Sequence, residues 1–119
     1  MATLTRQDCK ETALEATYAA AAGGGDVITN TGGNTILHVK NGSGGNITLT
    51  VTAQKTTASN SAFGVLTKSD SVTVVTAGEE RFIGPFEPNA FNNSSGQIEI
   101  TYSGVTSFTI AGINFAFPA

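Results

Sequence analysis

The chain has 119 residues, 13% of them charged, with a formal net charge of −3 and a single cysteine. That length fits one domain with a real core, and six scattered basic residues exclude the clustered cationic surface that a nucleic-acid partner requires. Cys9 alone excludes an intrachain disulfide, and no apolar run approaches membrane-spanning length, so neither a membrane partner nor a secretory leader is expected.

Residues 1–25 read as an N-terminal arm ending in the hinge Gly23-Gly24-Gly25. Ala13 to Ala22 is alanine-rich, but Thr12, Thr17 and Tyr18 lower its helix propensity, so the expectation is an extended arm with at most one helical turn, ordered by a neighbour. Residues 26–119 read as one β-domain, because from Asp26 onward the period is two. Val27-Ile28-Thr29 precedes a turn at residues 30–34, and Thr35 to Lys40 resumes as a strand that stops at Asn41-Gly42. Ile47-Thr48-Leu49-Thr50-Val51-Thr52 is the cleanest alternation, with a core face of Ile47, Leu49 and Val51 and a threonine face opposite. Residues 54–70 read as a polar connection in which Phe63, Val65 and Leu66 are the anchors. Ser71 to Val75 forms the next strand, with a turn at Ala77-Gly78.

The stretch from Ala77 to Phe91, AGEERFIGPFEPNAF, sets acids and an arginine among large apolar residues. On a strand, Glu80 and Phe82 share one face and Arg81 and Ile83 the other, until Gly84-Pro85 breaks the ladder. Pro85 and Pro88 predict an extended crossing held to the sandwich by Phe82, Phe86 and Phe91, with the charged residues left outside to blunt an edge. Ile98 to Tyr102 then alternates and is expected to pair with Phe108 to Ile110 across residues 103–107. Gly112 predicts a bulge that slips the inward phase from Phe108 and Ile110 to Ile113, Phe115 and Phe117. Phe115 and Phe117 are then core or oligomer anchors. About eight short strands with frequent turns make the fold all-β: an antiparallel β-sandwich or jelly-roll-like barrel carrying an N-terminal arm.

Few residues suit catalysis. His38, the only histidine, shares a strand face with Ile36 and Lys40 and reads as a surface or rim residue without a metal-binding partner. Cys9 reads as a bystander thiol. Adjacent Glu79 and Glu80 point to opposite faces of a strand and cannot act as a carboxylate pair. The glycine runs at 23–25 and 42–45 lack the strand, helix and Lys-Ser/Thr of a phosphate cradle. No catalytic residue, metal ligand or cofactor is therefore expected, and the chain is not expected to be an enzyme.

Several short motifs occur in a suggestive order. They are the Leu4-Thr5-Arg6-Gln7 start, the Ala/Gly-rich linker, the turn Gly25-Asp26-Val27-Ile28-Thr29-Asn30, the strand end Leu37-His38-Val39-Lys40-Asn41, and Arg81-Phe82-Ile83-Gly84-Pro85-Phe86. In this order the chain resembles the small capsid decoration, or cement, proteins of tailed bacteriophages. The resemblance implies a structural virion protein, made in the cytoplasm of the host bacterium and bound to the outer surface of an assembled head, which it stabilises. It implies the major capsid protein as partner, self-association as a homotrimer, and an arm that contacts the shell or a sister subunit through Thr3, Leu4, Arg6, Leu14 and Tyr18. Two other roles fit the same composition: another tail or head-fibre component, or a glycan or cell-surface binding module using loops 54–70 and 84–96.

Overall fold

The computed structural model of the chain describes residues 1–55, 57–60, 62 and 64–115, with 57–60 and 64–67 described by their backbone alone. Phe63 and Phe117 lie outside the described residues. In chain order the strands are β1 (Ala2–Thr3), β2 (Arg6–Asp8), β3 (Ala19–Ala20), β4 (Asp26–Thr29), β5 (Thr35–Asn41) and β6 (Ile47–Val51). After these come β7 (Thr57–Asn60), β8 (Gly64–Thr67), β9 (Ser71–Val75), β10 (Glu80–Ile83), β11 (Gln97–Tyr102) and β12 (Phe108–Asn114).

The antiparallel pairings are nested: β7 with β8, β6 with β9, β5 with β10, and β4 with β11. This is one long hairpin with β7 and β8 at its tip, rolled as in a jelly roll. β4, β11, β6 and β9 fall in one sheet, while β10 and β5 fall in the other. Pairing of β11 with β6 closes the roll, and β12 extends the second sheet along the far side of β5. The fold is an all-β sandwich.

Inward residues of both sheets fill the core, among them Ile28, Leu37, Val39, Leu49, Val51, Val75, Ile98, Ile100, Phe108 and Ile110, all buried. At about 1.5–3 kcal/mol for each large apolar side chain, this layer is the main favourable term. The threonine face of β6 is half-exposed, as its alternation requires. Asp26 is one of several buried polar residues. Its Oδ2 accepts from Tyr102 Oη at 2.7 Å and from the backbone N–H of Ala22 at 3.2 Å. Burial, and then this carboxylate, push the Tyr102 phenol well above its ordinary range.

Four expectations need correction. First, β11 and β12 do not form a hairpin: residues 103–107 carry the chain from one sheet to the other, and Tyr102 and Phe108 pack at 5.5 Å where it crosses. Second, Gly112 makes no bulge, because the register of β12 on β5 runs unbroken from Phe108 opposite Asn41 to Asn114 opposite Thr35. The glycine is a slot: a Cβ there would lie 1.7 Å from Cδ1 of Ile28, which reaches across from the facing sheet. The inward phase therefore does not slip. Ile113 stays half-buried, and Phe115, just past the strand, is 48% exposed.

Third, the crossing after β10 is not extended throughout. Pro88–Phe91 forms a single helical turn in which the Asn89 N–H donates to the Glu87 carboxylate, with proline at a position that needs no N–H. Phe86 and Phe91 are buried edge to face at 5.5 Å and hold this segment down. Phe82 does not join them, being 69% exposed on the opposite face of its strand. Fourth, residues 54–70, expected as a polar connection, include the hairpin of β7 and β8.

The arm has no helix and lies on its own chain. β1 runs parallel to β4, and β2 parallel to the C-terminal half of β12, while β3 runs antiparallel to its N-terminal half. The arm thus covers an edge of each sheet. Gly25 lies at its root with φ +92°, close under the carbonyl of Ile100, where a Cβ would approach to 2.6 Å.

Candidate contact surface

The outer face of the second sheet gathers the side chains that resemble chemistry. β5 presents His38 and Lys40 outward, and β10 presents Glu80 and Phe82; the register sets Phe82 opposite His38 and Glu80 opposite Lys40. The Phe82 ring lies on the imidazole at 4.1 Å with an interplanar angle of 6°. Nε2 of His38 meets Glu80 Oε1 at 2.8 Å. From the arm, Tyr18 Oη bonds Nδ1 of His38, its ring standing edge-on to the imidazole at 5.4 Å. Lys40 Nζ sits 4.0 Å above the Tyr18 ring.

A carboxylate can only accept, so Nε2 carries a hydrogen and donates it to Glu80, while Nδ1 shares its hydrogen bond with the Tyr18 hydroxyl. The imidazole is fully partnered, with one face under Phe82, and only 8% of His38 remains exposed. It is therefore buried beneath Phe82 and Tyr18, not a surface or rim residue as expected. The carboxylate–imidazole–phenol chain lines neither of two surface hollows, one of about 370 Å³ under the arm and one of about 330 Å³ beside Pro85. What the arrangement does chemically is fix the arm to the sheet and hold an exposed Phe82 ring rigid. Beside it, Arg81 bonds Glu79 at 2.8 Å and holds that carboxyl below its ordinary range.

The remaining arm residues are dispersed. Thr3 pairs with Val27, and Leu4 packs partly against the core while its N–H donates to Val27 O at 2.8 Å. Arg6 Nη1 donates to Thr31 O at 3.2 Å and to Thr35 Oγ1 at 3.4 Å. Leu14 is half-buried in the segment between β2 and β3, where Gln7 clasps the Thr17 backbone through its amide at 2.7 and 2.8 Å. Of the arm residues named from the sequence, only Tyr18 reaches the His38 group. Among the described residues no cluster of three His, Cys, Asp or Glu side chains is placed to hold a metal ion.

A second exposed feature has no counterpart in the sequence reading. Val72 and Val74 on β9 are 61% and 52% exposed, while Ser71 and Thr73 turn toward the interior. Alternating valine and threonine on an edge strand would place the valines inward by hydropathy alone; only Val75, the third valine, is buried. Comparison with known proteins gave no match to any family model, curated protein or solved structure.

Proposed function

We propose that the chain is a structural virion protein of the decoration type, which binds the outside of an assembled phage head and stabilises it by binding only the assembled state. The observation that carries this reading is Phe82: a large apolar ring 69% exposed, yet immobilised by stacking on a buried, fully bonded histidine. The exposed face of the ring adds nothing to the core. A rigid exposed aromatic loses little entropy on docking, as a protein-binding anchor should. The outward valines of β9 add apolar surface on the other sheet. The phage setting, the shell partner and a homotrimer come from the motifs of the arm and of residues 81–86, and weak contacts repeated in a trimer would add up to firm attachment.

The test is a binding assay on a panel of tailed-phage heads stripped of their decoration proteins, read by electron microscopy with labelled protein. Saturable binding to a head surface that falls at least tenfold in Phe82→Ala supports the proposal. Labelling of tails alone, or equal head binding by Phe82→Ala, overturns it. One specific feature favours a second reading as a glycan-binding module: the exposed Phe82 face lies beside the Glu80 carboxylate, an apolar platform with a polar neighbour. Specific glycan-array hits lost in Phe82→Ala, with no head binding, would select it.

A further inference from the structure

A two-layer sandwich has four lateral strand edges, and this one treats them differently. β1 covers the edge of β4, and β2 with β3 covers the edge of β12. β10 is uncovered but carries Glu80 and Arg81 within it and is followed directly by Gly84-Pro85, the usual means of blunting an edge. β9 is the last strand of its sheet and carries no charge, proline or bulge in Ser71–Val75.

The direction of its backbone groups follows from its neighbours. Thr48 receives the Ser103 N–H on its carbonyl at 2.9 Å, and the Thr52 N–H reaches Glu99 O at 3.0 Å, so the even residues of β6 face β11. The odd residues Ile47, Leu49 and Val51 therefore face β9, where the register sets them opposite Val75, Thr73 and Ser71. What remains is an outward edge formed by the N–H and C=O of Val72 and Val74, for which no partner occurs among the described residues. These are also the residues whose side chains are exposed.

We propose that β9 is a self-pairing edge, which joins a second copy of this chain antiparallel across a two-fold axis at Thr73. The sequence Ser-Val-Thr-Val-Val is complementary to itself in that register. Val72 of each copy falls opposite Val74 of the other, with each such pair exchanging both of its backbone hydrogen bonds, and Thr73 meets Thr73 as the closer, non-hydrogen-bonded pair. The outward valines then form cross-strand apolar pairs, and the two sheets become one continuous sheet. A three-fold contact elsewhere would leave this one free to join trimers in pairs. The contact does not depend on any shell, and its test uses the free protein.

Sedimentation equilibrium of the wild type should give twice the mass found for Val72→Lys/Val74→Lys, in which lysines face each other across the axis. Val72→Lys/Val74→Glu, which sets each lysine opposite a glutamate, should restore the doubled mass. All these side chains are exposed, so the variants should keep the wild-type circular dichroism and the melting temperature that the wild type shows when too dilute to associate. In a Cys9→Ser background, Thr73→Cys should oxidise to a disulfide-linked dimer, because non-hydrogen-bonded partners lie about 4.5 Å apart. Val72→Cys should not, since its own copy lies diagonally at about 7–8 Å. Equal mass for the wild type and Val72→Lys/Val74→Lys at all concentrations, or efficient cross-linking through Val72→Cys instead of Thr73→Cys, overturns the proposal.

Discussion

At Gly112 a single absent methyl group sets how closely the sheets approach. Gly112→Ala puts a Cβ into the space of Ile28 Cδ1, and since both neighbours are buried the cost should be about 1–3 kcal/mol, the usual penalty of overpacking. Ile28→Val removes the clashing atom, so the double variant should be more stable than the sum of the single losses allows, which a denaturant-melt double-mutant cycle would measure. Tyr102 gives a second prediction, in pH. Its folded pKa is raised, so the protein resists ionising the phenol while the unfolded chain does not. Stability is intact below the unfolded value of about 10 and falls as pH rises beyond it. Tyr102→Phe should cost about 1–3 kcal/mol at neutral pH by leaving the buried Asp26 carboxylate short of a donor. Between pH 10 and 12 the same variant should show a flatter loss of stability than the wild type, measured by urea melts across that range.

Among the elements, the segment from β10 to the short helix separates two uses of phenylalanine that look alike in the sequence. Phe86→Ala and Phe91→Ala should each cost about 3–5 kcal/mol, because both rings are buried against each other and the core. Phe82→Ala should cost less, about 0.5–1.5 kcal/mol for its stacking on His38, while still affecting binding. Thermal melts of the three variants would check the contrast. The alternation of Glu80, Arg81, Phe82 and Ile83 was legible in the sequence; that Glu80 and Phe82 would meet His38 was not, because it depends on β10 lying beside β5. The arm shows the same division. Its distinct composition marks it off, yet its three short strands take their conformation from the edges of β4 and β12. Deleting residues 1–8 leaves β3 and the Ala22 bond to Asp26 in place but bares the edge of β4 and the C-terminal half of the edge of β12. The expected result is a lower melting temperature with concentration-dependent light scattering on heating.

Across the whole molecule, the sandwich is asymmetric between its two lateral sides. The arm seals one side, while β9 and β10 leave the other open with Val72, Val74 and Phe82 exposed. Under the proposed function, the exposed ring and the uncharged edge are the surfaces that meet other chains. Attachment should therefore respond to Phe82 and self-association to Val72 and Val74, two independent losses that one set of variants can separate.

Local chemistry determined much of this protein from the sequence alone. Two-residue alternation and glycine–asparagine turns specify short strands, and together they specify an all-β sandwich with Ile47, Leu49, Val51, Phe108 and Ile110 inside. Pairing is non-local, and only the tertiary structure decided it. The same five-residue link can close a hairpin or bridge two sheets, and residues 103–107 bridge because β12 gains more by pairing along all of β5 than β11 could offer while held between β4 and β6. The same contingency made Gly112 a slot for Ile28 instead of a bulge, buried His38 under an arm tyrosine, and turned the valines of β9 outward. Each of those outcomes depends on a neighbour from a distant part of the chain, and no periodicity within a strand encodes which neighbour it will have.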